Sequence, residues 1–266
     1  MAGTQSKTRF AAIEVDAVTY EEMFVRIDSW LDDKTGPSHH IAPVNAYCAS
    51  LAARDPELQR IWNAADIAGA DGMPFVYWIR WVRGLPCDRL DAPDIVEQLA
   101  KRAETKDYAF YLYGGAPEVL EGMKEYLLER FPYLRIVGAE SPPFRPLTEA
   151  EDEAACRRIN EAAPDIICVG LGTPKQDYWI RDHLKKIRGA VFVGCGATFD
   201  FFGGRVKRAP QLVQLSGLEW LYRLLGTDRQ RLWKRYTLHN IDFLARFGLQ
   251  LLTGVVERRR TQGPPS

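Results

Sequence analysis

The chain has 266 residues, 46% of them hydrophobic and 26% charged, a globular composition that excludes disordered, collagen-like and fibrous classes. Thirty-five basic and 35 acidic residues cancel, so no global field draws in nucleic acid. Mean hydropathy is −0.25, no uninterrupted apolar run reaches the about 18 residues of a spanning helix, and the start MAGTQSKTRF lacks an apolar signal core, so secretion is not expected.

In chain order, residues 9–17 read as a short strand and 19–33 as an amphipathic helix. Residues 39–46 are extended, and 51–65 are helical with Asp55-Pro56 at a start or break. A short strand ends at Gly69-Ala70-Asp71-Gly72, and 73–82 resume as an aromatic-rich helix. Another helix within 89–104 is entered through Ala92-Pro93-Asp94. The apolar strand 108–113 runs into Gly114-Gly115, followed by a helix over 117–130 and a strand over 134–138. Thr148 and Glu151 stand at capping-box spacing for a helix over 148–162. Strand 165–171 leads through Gly172-Thr173 into a helix beginning at Pro174, and strand 190–193 ends at Gly194-Cys195-Gly196. Continuous apolar strands alternating with helices predict βαβ units: an α/β, Rossmann-like parallel sheet flanked by helices. We expect this core over 1–216 and a helical, basic appendage over 217–266.

The appendage carries nine basic against four acidic residues between Gly217 and Arg260, with Trp220, Leu224, Trp233, Phe243 and Phe247 among them. Basic amphipathic helices suit an anionic membrane surface. A helical pair that packs on the core explains the same pattern, and the two readings are compatible.

Cys48, Cys87, Cys156, Cys168 and Cys195 are odd in number and scattered, with no C-x-x-C. They read as free thiols of a reducing compartment. His39, His40, His183 and His239 show no ligand spacing, and no Asp-x-Asp, His-Glu-x-x-His or Gly-x-Ser-x-Gly occurs. A required metal is therefore not expected.

Three constellations could carry chemistry. In Gly170-Leu171-Gly172-Thr173-Pro174-Lys175-Gln176 a buried strand opens a helix, with Thr173 as N-cap and Pro174 at N1. Such a junction attracts phosphate through exposed N–H groups and the helix dipole. The dinucleotide fingerprint is absent, because Lys175 stands where the third glycine belongs, and Phe199 does so after Gly194-Cys195-Gly196. An NAD-dependent oxidoreductase is disfavoured accordingly, and no Walker A sequence occurs. Asp71 lies at the carboxyl end of a strand, where open α/β sheets bind ligands, although an Asp before Gly also serves plain turns. Arg208-Ala209-Pro210, after Gly203-Gly204-Arg205, and Tyr222-Arg223 offer guanidinium forks to pyrophosphate, or simply a solvated basic face.

The order of Asn45, Ala70-Asp71-Gly72, Gly114-Gly115, Gly170-x-Gly172-x-Pro174-Lys175-Gln176, Val193-Gly194-x-Gly196-x-x-Phe199-Asp200, Arg208-Ala209-Pro210 and Gly217-Leu218-Glu219-Trp220-x-Tyr222-Arg223 resembles the WecG/TagA/CpsF family of bacterial glycosyltransferases over roughly residues 10–245. The resemblance implies an inverting, metal-independent and cofactor-free transfer. A sugar would pass from a UDP-sugar to a polyprenyl-pyrophosphate-linked saccharide at the inner face of the cytoplasmic membrane, in cell-surface polysaccharide synthesis. It implies Asp71 as the general base. It places Arg208 and Arg223 near the pyrophosphate, with Arg229, Arg231 and Arg235 as weaker candidates. Gln176 and Asp200 would line the nucleotide-sugar pocket, with Asn45 on the donor or acceptor side; Gly72, Gly114, Gly172, Lys175 and Gly194 complete the substrate-binding set. Pro43 stands where many members have Thr, and Asp177 where many have Glu. Residues 89–95 approximate an Arg-x-x-Gly-x-Asp-Leu block with Ala92 at the glycine. These departures leave the donor open among UDP-glucose, UDP-glucuronate and UDP-N-acetylmannosamine. The competing reading is a non-catalytic UDP-binding scaffold, which would have no need of Asp71.

Overall fold

The computed structural model describes residues 7–216, 222 and 229–261. Eight strands form one sheet in the order β1-β2-β4-β3-β8-β7-β5-β6. They are β1 (Lys7–Phe10), β2 (Ile13–Asp16), β3 (His39–Val44), β4 (Ile67–Ala70), β5 (Ala109–Gly114), β6 (Arg135–Glu140), β7 (Ile166–Gly170) and β8 (Val191–Gly194). Among the described residues only β1 and β2 pair antiparallel; the other pairings are parallel. This is the α/β, Rossmann-like architecture.

Side-chain alternation splits the core into two faces. Ile41, Ile67, Phe110, Leu112, Ile166, Val191 and Val193 point to one face. There α1 (Tyr20–Leu31), α5 (Ala92–Lys106) and α6 (Pro117–Arg130) cover them. Met23, Ile27 and Leu31 form the buried stripe of α1, each contributing about 1.5–3 kcal/mol. On the other face Ala42, Val44, Ala68 and Ala70 pack under α2 (Ala46–Ala52), α3 (Pro56–Asn63) and α4 (Met73–Tyr77). Tyr111, Tyr113, Ile167, Val169 and Phe192 pack under α7 (Glu149–Ala162) and α8 (Lys175–His183). Local chemistry sets the helix starts. Thr19 with Glu22 and Thr148 with Glu151 form complete capping boxes, and Asp55 caps α3 with Pro56 in its first turn.

Several details differ from the sequence expectation, among them that α2 begins at Ala46, capped by Asn45, ahead of the helix expected from 51. The stretch 9–17 is a hairpin that turns at Ala11, whose φ is +54°, not a single strand. No glycine or asparagine marks that turn. It is held from afar, because Ala11 N–H donates to Gln250 Oε1 at 2.8 Å and Gln250 Nε2 donates to the Arg9 carbonyl at 3.0 Å. The helix over 73–82 widens into a π-turn at Trp78–Val82, which keeps Ile79 buried while Trp81 faces solvent and stacks on Tyr77. The helix after β7 begins at Lys175, with Pro174 as N-cap and no side-chain cap bond. The Thr173 hydroxyl instead accepts from Gln176 Nε2 at 3.3 Å.

Among the described residues, the short helices α9 (Thr198–Phe202) and α10 (Gln211–Leu215) come before the C-terminal helix Arg229–Thr261. The latter docks on the α2 side of the sheet. Phe243 is buried against Phe75 and Phe247, and Phe247 packs edge-on to Trp78. Asp242 anchors this face by accepting from Ser50 Oγ at 2.7 Å and pairing with Arg54 and Arg246 at 3.0 Å. Among the described residues, no helix is long and apolar enough to cross a membrane.

Burial would raise the Asp242 carboxyl, but the hydrogen bonds from Ser50, Arg54 and Arg246 outweigh it and hold it down at about 2. A depressed carboxyl stabilises the folded form above its unfolded value, and that contribution fades as pH falls from about 4 toward 2. Asp242→Ala removes it where the carboxylate is ionised, with an expected cost of about 1–2 kcal/mol near neutral pH. Hydrogen exchange checks this: protection over residues 238–253 drops while that of β5 and β7 is unchanged.

Candidate functional site

The carboxyl ends of β3 and β4 lie side by side, with Val44 opposite Ala70. The next residue on each strand is polar: Asn45 and Asp71. Asn45 is the N-cap of α2, its Oδ1 accepting from Tyr47 N–H at 3.1 Å and Cys48 N–H at 3.3 Å. That bond fixes the amide so that Nδ2 donates to Asp71 Oδ2 at 2.6 Å. The Asp71 backbone is fixed as well: its N–H donates to the Val44 carbonyl at 3.0 Å, and its carbonyl accepts from Arg89 Nε at 3.0 Å. Asp71 is half-buried, not sealed in the interior. Gly72 after it leaves space, since an added Cβ would meet nothing nearer than Pro74 Cδ at 3.7 Å. Asp71 is therefore an oriented carboxylate that a ligand can approach, the arrangement a general base needs.

Across the same edge, β5 and β7 send their connections in opposite directions, to β6 and to β8, and such a switch point opens a crevice. Gly114 and Gly115 have φ of +132° and +71°, and Gly115 N–H donates to the Gly170 carbonyl at 3.2 Å. Gly172, with φ of +78°, has open space where a Cβ would stand. Gln176, only 4% exposed, ties this loop to the next one: its Oε1 accepts from Gly196 N–H at 2.9 Å. A Cβ on Gly194 would press on Gln176 Nε2 at 3.0 Å. Gln176 thus braces the loops after β7 and β8, while Lys175 beside it is exposed. Asp200, on α9, is half-buried and lies 3.5 Å from Arg205 Nη1.

These glycines differ in what they tolerate. A Cβ on Gly114 would sit 2.6 Å from the Gly170 carbonyl carbon, so Gly114→Ala combines backbone strain with a clash that only the sheet can relieve. We expect it to lose about 3 kcal/mol in urea unfolding. Gly172→Ala meets only the left-handed penalty, about 1 kcal/mol.

Arg208 bridges back to this centre. Its Nη2 donates to Asp91 Oδ2 at 2.7 Å and its Nη1 pairs with Asp94 Oδ1 at 2.6 Å. Arg89 Nη2 reaches the same Asp91 oxygen at 2.7 Å. A continuous chain therefore runs from the Asp71 carbonyl through Arg89 and Asp91 to Arg208. Burial pushes the Asp91 carboxyl up against the pull of the two guanidinium groups. At the less buried Asp94, hydrogen bonds from Asp91 and Arg208 outweigh burial and hold the carboxyl below the usual range. The expectation that Arg208 turns to a pyrophosphate thus meets an arginine already seated on two aspartates.

The structure gathers Asn45, Asp71, Gly72, Gly114, Gly172, Lys175, Gln176, Gly194, Asp200 and Arg208 along one edge of the sheet. Arg223 lies outside the described residues. Arg229, Arg231 and Arg235 lie on the first turns of the C-terminal helix, their side chains outside the described residues. Sequence reasoning missed Arg89, Asp91 and Asp94 as a network. The signal lay in two acids, Asp91 and Asp94, on either side of Ala92-Pro93 at a helix start.

The Rossmann-like sheet thus carries an oriented carboxylate and glycine turns at its carboxyl edge, the place where open α/β sheets bind ligands. Over residues 8–256 the sequence matches the Glycosyl transferase WecG/TagA/CpsF family. The chain belongs to that family, a glycosyltransferase family of cell-surface polysaccharide synthesis.

Proposed function

We propose that the chain transfers a sugar, with inversion and without a metal, from a UDP-sugar to a saccharide linked through pyrophosphate to a polyprenol. The observation that carries this reading is the Asn45–Asp71 contact of 2.6 Å at adjoining strand ends. Asp71 takes the proton of the acceptor hydroxyl as that oxygen bonds to the anomeric carbon. The bond from that carbon to UDP breaks on the opposite face, and UDP leaves with the electron pair. Asn45 holds one carboxylate oxygen and so sets the direction of the other. The glycine turns after β7 lie three strand spacings from β4, about 14 Å, which leaves room for sugar and diphosphate between base and turn. Their N–H groups and the exposed Lys175 offset the negative charge developing on UDP.

The C-terminal helix favours an acceptor held at a membrane. Leu238, Ile241, Leu249 and Leu252 are exposed and, at 100° per residue, fall on the side opposite Phe243, Phe247 and Gln250, with the exposed Leu244 at its flank. One face of the helix packs on the core, and the other offers an apolar stripe to the inner surface of the cytoplasmic membrane.

The test is a donor panel of UDP-glucose, UDP-glucuronate, UDP-N-acetylglucosamine and UDP-N-acetylmannosamine with a short-chain lipid-pyrophosphate sugar, in the presence of chelator. Acceptor-dependent UDP release with one donor supports the reading. Stabilisation by UDP without turnover of any donor points instead to a scaffold.

A further inference from the structure

A second cluster lies away from the strand ends. Asp152 and Cys156, one turn apart on α7, face His183 at the far end of α8, and their ligand atoms all lie within 4.8 Å of one another. His183 Nδ1–H donates to the Trp179 carbonyl at 2.6 Å, which turns Nε2 toward Asp152 Oδ1 at 2.8 Å. Lys186 Nζ donates to Asp152 Oδ2 at 2.6 Å. His183 and Cys156 are buried, yet the cluster is reachable. A cavity of about 540 Å³, lined by Asp152, Trp179, His183 and Lys186 among others, opens on it.

We propose that Asp152, Cys156 and His183 bind a divalent transition-metal ion of the zinc type, which clamps α7 to α8. Thiolate, imidazole and carboxylate form a zinc ligand set, whereas calcium and magnesium prefer oxygen ligands. Bonds of about 2.0–2.3 Å in a tetrahedron place neighbouring donors about 3.3–3.8 Å apart, so small side-chain rotations suffice from the observed spread. The imidazole is already oriented as a ligand, because metal-bound histidines characteristically donate their other N–H to a carbonyl or carboxylate. Water from the cavity fills the fourth position. Binding displaces the Lys186 ammonium, which is 48% exposed and can swing into solvent. The Cys156 thiol loses its proton to water as sulfur bonds to the metal, with no change of oxidation state. His183 lies eight residues beyond Lys175, about 12 Å along the helix axis, so the ion is structural and takes no part in the transfer.

Sequence spacing hides this site. Asp152 and His183 are 31 residues apart, and β7 must run between α7 and α8 before they meet.

The test uses the full chain, stripped with chelator and titrated with Zn²⁺ or Co²⁺. One equivalent should bind, with a thiolate-to-cobalt charge-transfer absorption. Cys156→Ser should abolish that absorption, and His183→Gln should weaken binding at least tenfold, with circular dichroism showing that each variant folds. Lys186→Ala removes the competing ammonium and should tighten binding several-fold, a result that does not depend on damaging the helices. The absence of saturable binding, or an unchanged absorption in Cys156→Ser, overturns the proposal.

Discussion

Asp71→Asn should lower acceptor-dependent sugar transfer by between about a hundredfold and ten-thousandfold, the contribution expected of a positioned general base. The substitution keeps shape and volume, and an asparagine oxygen can still accept from Asn45 Nδ2. Backbone contacts to Val44 and Arg89 do not depend on the side chain. The melting temperature and the affinity for UDP should therefore stay close to those of the parent chain. Initial-rate assays beside calorimetric titration of UDP separate the two effects. Full turnover in this variant would remove Asp71 from the mechanism.

Asp91→Ala should have the largest effect on stability, about 3–5 kcal/mol by urea unfolding. The carboxyl is buried, and one of its oxygens receives both Arg89 and Arg208 at 2.7 Å. Truncation leaves two guanidinium groups without that partner, and removing one member of a buried charged cluster costs far more than the intact cluster contributes. Asp94→Ala touches the same Arg208, yet the Asp94 side chain is 37% exposed. Water screens and replaces it, so about 1 kcal/mol or less is expected. Turnover should fall in Asp91→Ala beyond the loss of folded protein, because Arg89 also holds the Asp71 carbonyl.

The sheet was legible because β5, β7 and β8 are continuous apolar runs between amphipathic helices, and a strand buried on both faces must read that way. The capping box at Thr148 was equally legible, since both partners lie within four residues. Asp71 could be placed at a strand end for the same local reason. The hairpin at Ala11 was not, because its turn is held by Gln250, some 240 residues away. The Thr173 cap failed because a nearby side chain, Gln176, engaged the hydroxyl that the pattern assigned to the backbone. The seating of Arg208 on Asp91 and Asp94 joins residues more than 110 positions apart, and no local periodicity encodes such a pair. The five cysteines are buried, and none of them forms a disulfide.

The most direct test of where chemistry occurs is a crystal structure of the full chain with UDP. The diphosphate is expected at the glycine turns after β5 and β7, with the Asp71 carboxylate facing the vacant sugar position. A second cavity, of about 430 Å³, opens at the opposite edge of the sheet among Asp28, Lys34, Lys106, Arg135 and Asp165. UDP bound there, with the strand ends around Asn45 and Asp71 empty, would contradict that expectation.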